Sequence, residues 1–312
     1  MNDKIKGFVC GIIAAMSYGT NPLGALNLYA DHIGINSVLF YRYGLALLLL
    51  LPMLLIKRES LRLARREVWQ LLFLGICFSI SSLTLFSSFN YMDAGVASTM
   101  LFVYPVMVAV IMAVFFHEKL TAATLGAIGL SLAGVVLLYH GDGNTHISTT
   151  GVILVMLSSL SYAIYMIAIN RFNMSMSSFK LTFYVLIVCM VIVVLYAFTK
   201  PELHLQWLTT PRQWLNAAFL AIFPTFIALV LIAVALRCIG STPTAILGAL
   251  EPLTAVAIGV LVFHEAFTLR CCIGIILILS AVALVVLTRN KSQVPPKKVQ
   301  SQALGTCNRC HS

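Results

Sequence analysis

Apolar residues occur along this chain in ten long runs that are separated by short polar segments. Each run has 18 to 24 residues and few charges, and about 20 apolar residues in a helix match the hydrocarbon core of a bilayer. The pattern therefore predicts an all-α integral membrane protein with ten transmembrane helices, numbered here as spans 1 to 10. The predicted spans are 7–29, 35–56, 68–91, 94–116, 122–139, 150–170, 178–198, 213–236, 242–263 and 269–288.

The composition points to the same class. Hydrophobic residues make up 60% of the 312 residues and charged residues 10%, whereas a soluble domain has about 25% charged residues. The net charge of +10 does not predict a nucleic-acid partner, because the basic residues lie mostly in loops and the tail. Sixteen of them fall on one side of the spans and three on the other. Since cytoplasmic loops carry the excess of Lys and Arg, we expect both termini in the cytoplasm and the chain in the cytoplasmic (inner) membrane.

The two halves of the chain carry the same landmarks in the same order. Tyr104-Pro105 in span 4 and Glu251-Pro252 in span 9 are 147 residues apart, and so are the His-Glu pairs that follow these spans. An offset of 144 residues relates a second set of landmarks: Gly7, Ser17 and Tyr18 with Gly151, Ser161 and Tyr162. We therefore predict a first repeat over 1–140, a second over 150–289 and a flexible cytoplasmic tail over 290–312.

The number of spans in each repeat sets their relative orientation. Five is odd, so the second repeat enters the membrane from the opposite side. Inverted repeats with broken helices in corresponding positions are typical of secondary transporters, whose substrate site lies near the midplane between the halves. Because proline removes a helical N–H donor, Pro105, Pro224 and Pro252 are predicted hinges.

Glu251 is the leading candidate for the site. An ionised carboxylate near mid-membrane is costly, so an acid at this depth indicates a function. Glu251 would bind a proton or the cationic part of a substrate, since burial favours the neutral form of an acid and an approaching cation the ionised one. The alternative is a protonated side chain that hydrogen-bonds a neighbouring helix, including carbonyls freed by Pro252.

Arg42 is the only basic residue deep inside a predicted span, away from the span ends. It lies about seven residues from the outer end of its helix, so about 10 Å deep at 1.5 Å per residue. Asn21 lies at a similar depth and Tyr18 one turn deeper, so the three could form a polar shelf that binds a substrate carboxylate. The alternative is an arginine that reaches the outer interface or pairs structurally.

Several other polar side chains are candidates to line the cavity. Ser81 and Thr84 share one face of span 3, although small residues also let membrane helices pack closely. Tyr104 precedes the proline of span 4, and Tyr162 is the repeat counterpart of Tyr18.

These features resemble the EamA family of the drug/metabolite transporter superfamily. The resemblance covers nearly the whole chain and includes Arg42 in Phe-Tyr-Arg-Tyr-Gly, Tyr104-Pro105 with Glu118, and Glu251-Pro252 with Glu265. It implies a carrier of small organic molecules such as amino acids, amines, metabolites or drugs, and favours export.

We therefore expect a secondary carrier that works by alternating access, with proton coupling left open and no cofactor or metal. The nearest rivals are a nutrient-uptake permease and a flippase of lipid-linked head groups, followed by a non-transporting scaffold. An enzyme is not expected, because the spans contain no catalytic set or metal cluster. The chain has no P-loop, so ATP is not expected to drive transport directly. Cys307-Asn-Arg-Cys-His311 matches a haem-attachment pattern, but it lies in the predicted cytoplasmic tail, where no such attachment is expected.

Overall fold

The fold was analysed in a computed structural model that describes residues 3–92, 97, 100–118, 121–138, 148–172, 174–199, 204–262 and 269–291. The His264-Glu265 pair and nearly all of the predicted tail lie outside these residues. Within them the chain is helical and contains no strand. A π-helical turn, Ile222–Ile227, joins α9 to α10. The helices are α1 Asp3–Gly19, α2 Asn21–Ala30, α3 Ile35–Ile56, α4 Arg65–Ser88, α5 Tyr104–Phe116, α6 Ala122–Leu138, α7 Thr149–Phe172, α8 Ser178–Ala197, α9 Pro211–Ala221, α10 Ala228–Ile239, α11 Ser241–Leu247, α12 Leu250–Val262 and α13 Leu269–Lys291.

The described helices include five that are long and apolar enough to cross a membrane. They are α3, α4, α7, α8 and the combined unit Pro211–Ile239. Three shorter apolar helices, Tyr104–Phe116, Ala122–Gly134 and Cys272–Ala281, fall in predicted spans 4, 5 and 10. The chain is thus a multi-pass membrane protein.

Spans 1, 4 and 9 are each interrupted; the prolines predicted the breaks in spans 4 and 9, whereas the break in span 1 was not predicted. Span 1 consists of α1 and α2, which meet at Thr20, and span 9 consists of α11 and α12, which meet at a two-residue turn. In span 4 a turn at Phe102-Val103 precedes α5. Each break lies within three residues of a proline, whose missing N–H leaves the carbonyl four residues earlier without its helical donor.

Neighbouring hydroxyl groups satisfy two of these freed carbonyls. The Leu101 carbonyl, freed by Pro105, accepts a hydrogen bond of 3.0 Å from the Ser159 hydroxyl of α7. The Leu220 carbonyl, freed by Pro224, accepts one of 2.8 Å from Thr225 Oγ1. In a membrane no water is present to pair such groups, so a broken helix is stable only where protein donors replace the lost bonds.

The helices pack in pairs that place the broken segments at the centre. α1 lies along α10, α4 along α7, α3 along α8 and α6 along α13. Glycine permits the closest approaches: a Cβ on Gly7 would lie 2.7 Å from the Ile239 side chain, and one on Gly151 would lie 2.6 Å from that of Met92. Small residues at such contacts are how membrane helices come close enough to gain dispersion energy.

Two loops cross the surface to reach the start of a facing helix. The connection between α3 and α4 is bound to α8, where the Ser177 hydroxyl donates to Glu59 and Lys180 Nζ donates to the Arg62 carbonyl at 2.7 Å. The connection between α8 and α9 is bound to α3, where Gln206 Oε1 accepts from the Gly34 N–H at 2.6 Å.

Candidate functional site

An open cavity lies where the broken helices meet. Its empty volume is about 580 Å³ including the space at its mouth, so it is not sealed inside the bundle. The lining combines two polar side chains with a largely aromatic and aliphatic wall. The lining residues are Tyr18, Gly19, Asn21, Ala25, Leu85, Phe86, Phe89, Leu101, Phe102, Glu251 and Pro252.

Glu251 lies in the wall of this cavity, in the first turn of α12. Its Oε1 atom is buried and has no hydrogen-bond partner among the described residues. The Gly248 carbonyl, which Pro252 leaves free, accepts instead from the backbone N–H of Glu251 at 2.8 Å. The carboxyl oxygen Oε1 is therefore not used to satisfy that break, and a buried polar atom without a partner calls for a ligand, water or proton to pair it.

Gly19 brings the end of α1 against the backbone of Glu251. A Cβ at position 19 would lie 2.4 Å from the Glu251 carbonyl oxygen, so no larger residue fits without displacing α12. This contact fixes the position of the acid relative to Tyr18 and Asn21, which flank Gly19 in sequence.

An aromatic cluster adjoins the cavity at Tyr18. Tyr18 and Tyr162 stack with ring centroids 6.2 Å apart, and Tyr104 meets Tyr162 edge to face at 5.1 Å. The tip of Tyr104 lies against Gly248, where an added Cβ would be only 1.6 Å from Tyr104 Oη. The hydroxyl groups of Tyr104 and Tyr162 are buried and have no partner among the described residues.

Arg42 is 1% exposed, so it does not reach the outer interface. Its Nε donates to Thr225 Oγ1 at 2.6 Å, and its terminal nitrogens donate to Asn21 Oδ1 and the Pro224 carbonyl, each at 3.3 Å. The guanidinium carbon also lies 5.8 Å from the ring centre of Tyr18. Arg42, Asn21 and Tyr18 thus come together as their depths predicted, but the π-helical turn that holds Arg42 was not foreseen.

The other predicted residues divide between the site and the helix interfaces. Ser81 bonds with Ser158 of α7, Oγ to Oγ at 3.1 Å, and Thr84 donates to the Ile80 carbonyl of its own helix at 2.7 Å. Neither is part of the cavity lining, which favours the packing interpretation of both.

The three predicted hinge prolines occupy distinct irregular positions. Pro105 and Pro252 lie in the first turn of α5 and α12, directly after the breaks, and Pro224 lies inside the π-helical turn. Whether the helices move about these points stays a prediction.

Sequence reasoning missed Thr225 and the aromatic wall of Phe86, Phe89 and Phe102. Thr225 follows Pro224, and a hydroxyl beside an intramembrane proline was an available signal. The three phenylalanines carried no signal, because an apolar run does not reveal which of its rings face a cavity.

The comparisons with known proteins agree with this architecture. A family model described as the EamA-like transporter family matches the chain twice, over residues 5–140 and 149–287. The chain belongs to the EamA-like transporter family. This membership makes it a transporter by family and supports a non-enzymatic role.

Two similar proteins are also named as transporters. A protein of Archaeoglobus fulgidus named "Uncharacterized transporter" is 27% identical over 273 residues, covering 87% of this chain and 93% of the relative. "Uncharacterized transporter YvbV" of Bacillus subtilis (strain 168) is 25% identical over 252 residues, covering 79% and 80% respectively. One crystal structure superposes with a TM-score of 0.76 at 19% identity, covering 92% of this chain and 99% of that one, which establishes the shared fold.

Proposed function

We propose that this EamA-like protein is a secondary transporter that moves a small organic metabolite or drug, amino acid-like or amine, by alternating access. It would have ten spans in two inverted repeats, 1–140 and 150–289, with both termini in the cytoplasm, and export is the favoured direction. The observation that supports the proposal is a difference between the two repeats. Glu251 lies in the wall of an open cavity, whereas the repeat counterparts of the lining residues are buried.

Contacts between the halves support the inverted repeat. Tyr104 and Glu251 occupy equivalent positions, and so do Tyr162 and Tyr18. Tyr104 contacts Tyr162, and Glu251 shares the cavity wall with Tyr18. Two-fold symmetry requires that such contacts occur in equivalent pairs. The stacking of Tyr18 on its own counterpart Tyr162 fits a position near the axis.

The helix pairs and the glycine contacts also occur in equivalent pairs. The pairing of α1 with α10 joins spans 1 and 8, and that of α4 with α7 joins their counterparts, spans 6 and 3. Gly7 lies against Ile239, and Gly151 lies against Met92. Met92 and Ile239 are 147 residues apart, the offset that relates the two proline breaks. The two separate matches to one family model also support a duplicated unit.

The difference between the two sides supports alternating access. The lining of the open cavity includes Phe89, at the end of α4. The repeat counterparts of its lining are buried against one another, among them Tyr162, Ile169, Ile232, Ala233, Leu236 and Ala249. A carrier with two equivalent halves would reach its second state by exchanging these arrangements around Glu251.

Paired cysteine variants test this proposal. Phe89→Cys and its counterpart Leu236→Cys are placed singly in a background without the eight native cysteines. An impermeant thiol reagent should label Phe89→Cys from the outer side and Leu236→Cys from the cytoplasmic side. A channel would let reagent on one side reach both positions. A rigid scaffold would leave Leu236→Cys unlabelled from either side, and both results would contradict alternating access.

Transport itself is tested by reconstitution. Liposomes containing the protein should exchange labelled amino acids or amines across the membrane, and vesicles without it should not. An exchange that is accelerated by a pH gradient would support proton coupling, whereas exchange that is indifferent to the gradient would support facilitated diffusion.

A further inference from the structure

The guanidinium of Arg42 determines which way the Asn21 amide faces. Arg42 has five N–H donors and no acceptor, so the Asn21 atom that lies 3.3 Å from Nη1 must be the carbonyl oxygen Oδ1. The flipped amide would place N–H groups against N–H groups. Asn21 Nδ2, with its two N–H donors, therefore faces away from Arg42.

Arg42 is itself held in place by the second half of the chain. Thr225 Oγ1 and the Pro224 carbonyl, both in the π-helical turn, accept two of its hydrogen bonds. The three acceptors Thr225 Oγ1, Asn21 Oδ1 and the Pro224 carbonyl are all neutral. Because the arginine is 1% exposed, it has little freedom to turn. The orientation of the Asn21 amide is thus imposed by a fixed neighbour.

Asn21 lines the cavity, whereas Arg42 does not. The cavity wall therefore contains two polar side chains of complementary chemistry: the amide of Asn21 and the carboxyl group of Glu251, whose Oε1 has no partner among the described residues. Phe86, Phe89 and Phe102 form an aromatic wall beside them. A carboxylate beside aromatic faces suits an ammonium group, and amide N–H donors suit an oxygen acceptor.

We propose that Arg42 is a positioning residue that directs the Asn21 amide into the cavity, where it donates to a carboxylate or carbonyl oxygen of the substrate while Glu251 binds the ammonium group. The substrate class is the one already proposed above, an amino acid-like amine. This inference rests on the proposed function. It also assigns Arg42 an indirect role, since the arginine reaches the substrate only through Asn21.

Asn21→Asp is the sharpest test, because it keeps the oxygen that faces Arg42 and removes the N–H donors. The contact with Arg42 changes from a charge-assisted hydrogen bond to an ion pair, so the melting temperature should not fall. Binding of three matched probes is measured in detergent: L-phenylalanine, phenethylamine and 3-phenylpropionate. Wild type should bind L-phenylalanine most tightly. In Asn21→Asp the affinity for L-phenylalanine should fall about tenfold or more, as expected for a lost hydrogen bond to a charged group, while phenethylamine should bind as well as before.

Arg42→Gln tests the positioning role, since glutamine accepts as well as donates and leaves Asn21 free to flip. It should remove the preference for L-phenylalanine over phenethylamine and spare phenethylamine binding, whereas a purely structural arginine would weaken both alike. Unchanged L-phenylalanine affinity in Asn21→Asp would overturn the inference. Failure of wild type to bind L-phenylalanine at millimolar concentration, or tighter binding of phenethylamine than of L-phenylalanine, would do the same.

Exchange in liposomes separates this inference from the proposed function. Probes that bind with the predicted preference but are not exchanged would support the binding assignment and contradict transport. Exchange of other solutes without the predicted preference would support transport and overturn the binding assignment.

Discussion

Glu251 is the residue on which the site depends most directly. Glu251→Gln keeps the shape of the side chain and removes its ability to ionise. Its Oε1 has no hydrogen-bond partner to lose among the described residues, so folding should stay intact. Transport in liposomes should lose its dependence on pH, because the variant cannot bind and release a proton. Glu118→Gln, at an exposed acid beyond the end of α5, is the matched control. Unchanged transport and pH profile in Glu251→Gln would remove this residue from the mechanism.

Arg42→Lys probes how much the geometry of the guanidinium matters. A lysine ammonium is a single point and cannot reproduce the fork that contacts Thr225, Asn21 and the Pro224 carbonyl. Losing one or two charge-assisted bonds should lower stability by about 1–3 kcal/mol, seen as a lower melting temperature in detergent. Substrate affinity should fall as well. If stability fell and affinity did not, Arg42 would serve packing alone.

For individual residues, the sequence predicted which polar side chains lie in the site better than it predicted the residues that contact them. The depth of Arg42, Asn21 and Tyr18 in their spans was enough to place them together, because the rise of a helix converts sequence position into height. Ser81 and Thr84 were harder, since spacing defines a face of span 3 but not whether that face meets a cavity or another helix. The bond from Ser81 to Ser158 depends on the pairing of α4 with α7, which no local pattern contains.

Thr225 supports the π-helical turn, and its removal should affect the whole element. Its hydroxyl donates to the Leu220 carbonyl at 2.8 Å and accepts from Arg42 Nε at 2.6 Å. Thr225→Val would leave a carbonyl and an N–H buried without partners, at about 1–3 kcal/mol for each group. Thr225→Ser keeps the hydroxyl and serves as the control. Melting temperatures in detergent should rank wild type and Thr225→Ser well above Thr225→Val. Equal values for the Val and Ser variants would show that the turn does not depend on this bond.

The breaks in the spans show where prediction from sequence stops. The prolines predicted irregular helices, but not whether each helix would kink, form a π-turn or separate into two pieces. The freed carbonyls find donors of different origin: Ser159 of α7 pairs the carbonyl of Leu101, whereas Thr225 pairs that of Leu220 within the same element. The break in span 4 therefore involves a tertiary contact, whereas the bulge in span 8 uses a local one.

For the whole molecule, the repeated landmarks and the charge distribution predicted the topology, because both are properties of the chain. The side on which the cavity opens is not such a property. In the proposed mechanism two nearly equivalent halves exchange conformations, so the open side would reflect a small difference in free energy between two arrangements of the same contacts. Glu59 and Gln206, which are 147 residues apart, make hydrogen bonds that should influence this free-energy difference.

Glu59 and Gln206 tie equivalent loops to equivalent helix starts at opposite faces. Glu59 accepts from the Ser177 hydroxyl, and Gln206 accepts from the Gly34 N–H while its own N–H donates to Ser37 Oγ at 2.8 Å.

Removing one tie should favour opening at its own face. Glu59→Ala should therefore increase cytoplasmic labelling of Leu236→Cys, and Gln206→Ala should decrease it and increase outer labelling of Phe89→Cys. A hydrogen bond worth about 0.5–1.5 kcal/mol predicts changes of roughly two- to tenfold in the ratio of the two states. The double variant should return the ratio toward that of the parent. If both single variants changed the ratio of cytoplasmic to outer labelling in the same direction, the two ties would stabilise the bundle as a whole and would not control which side is open.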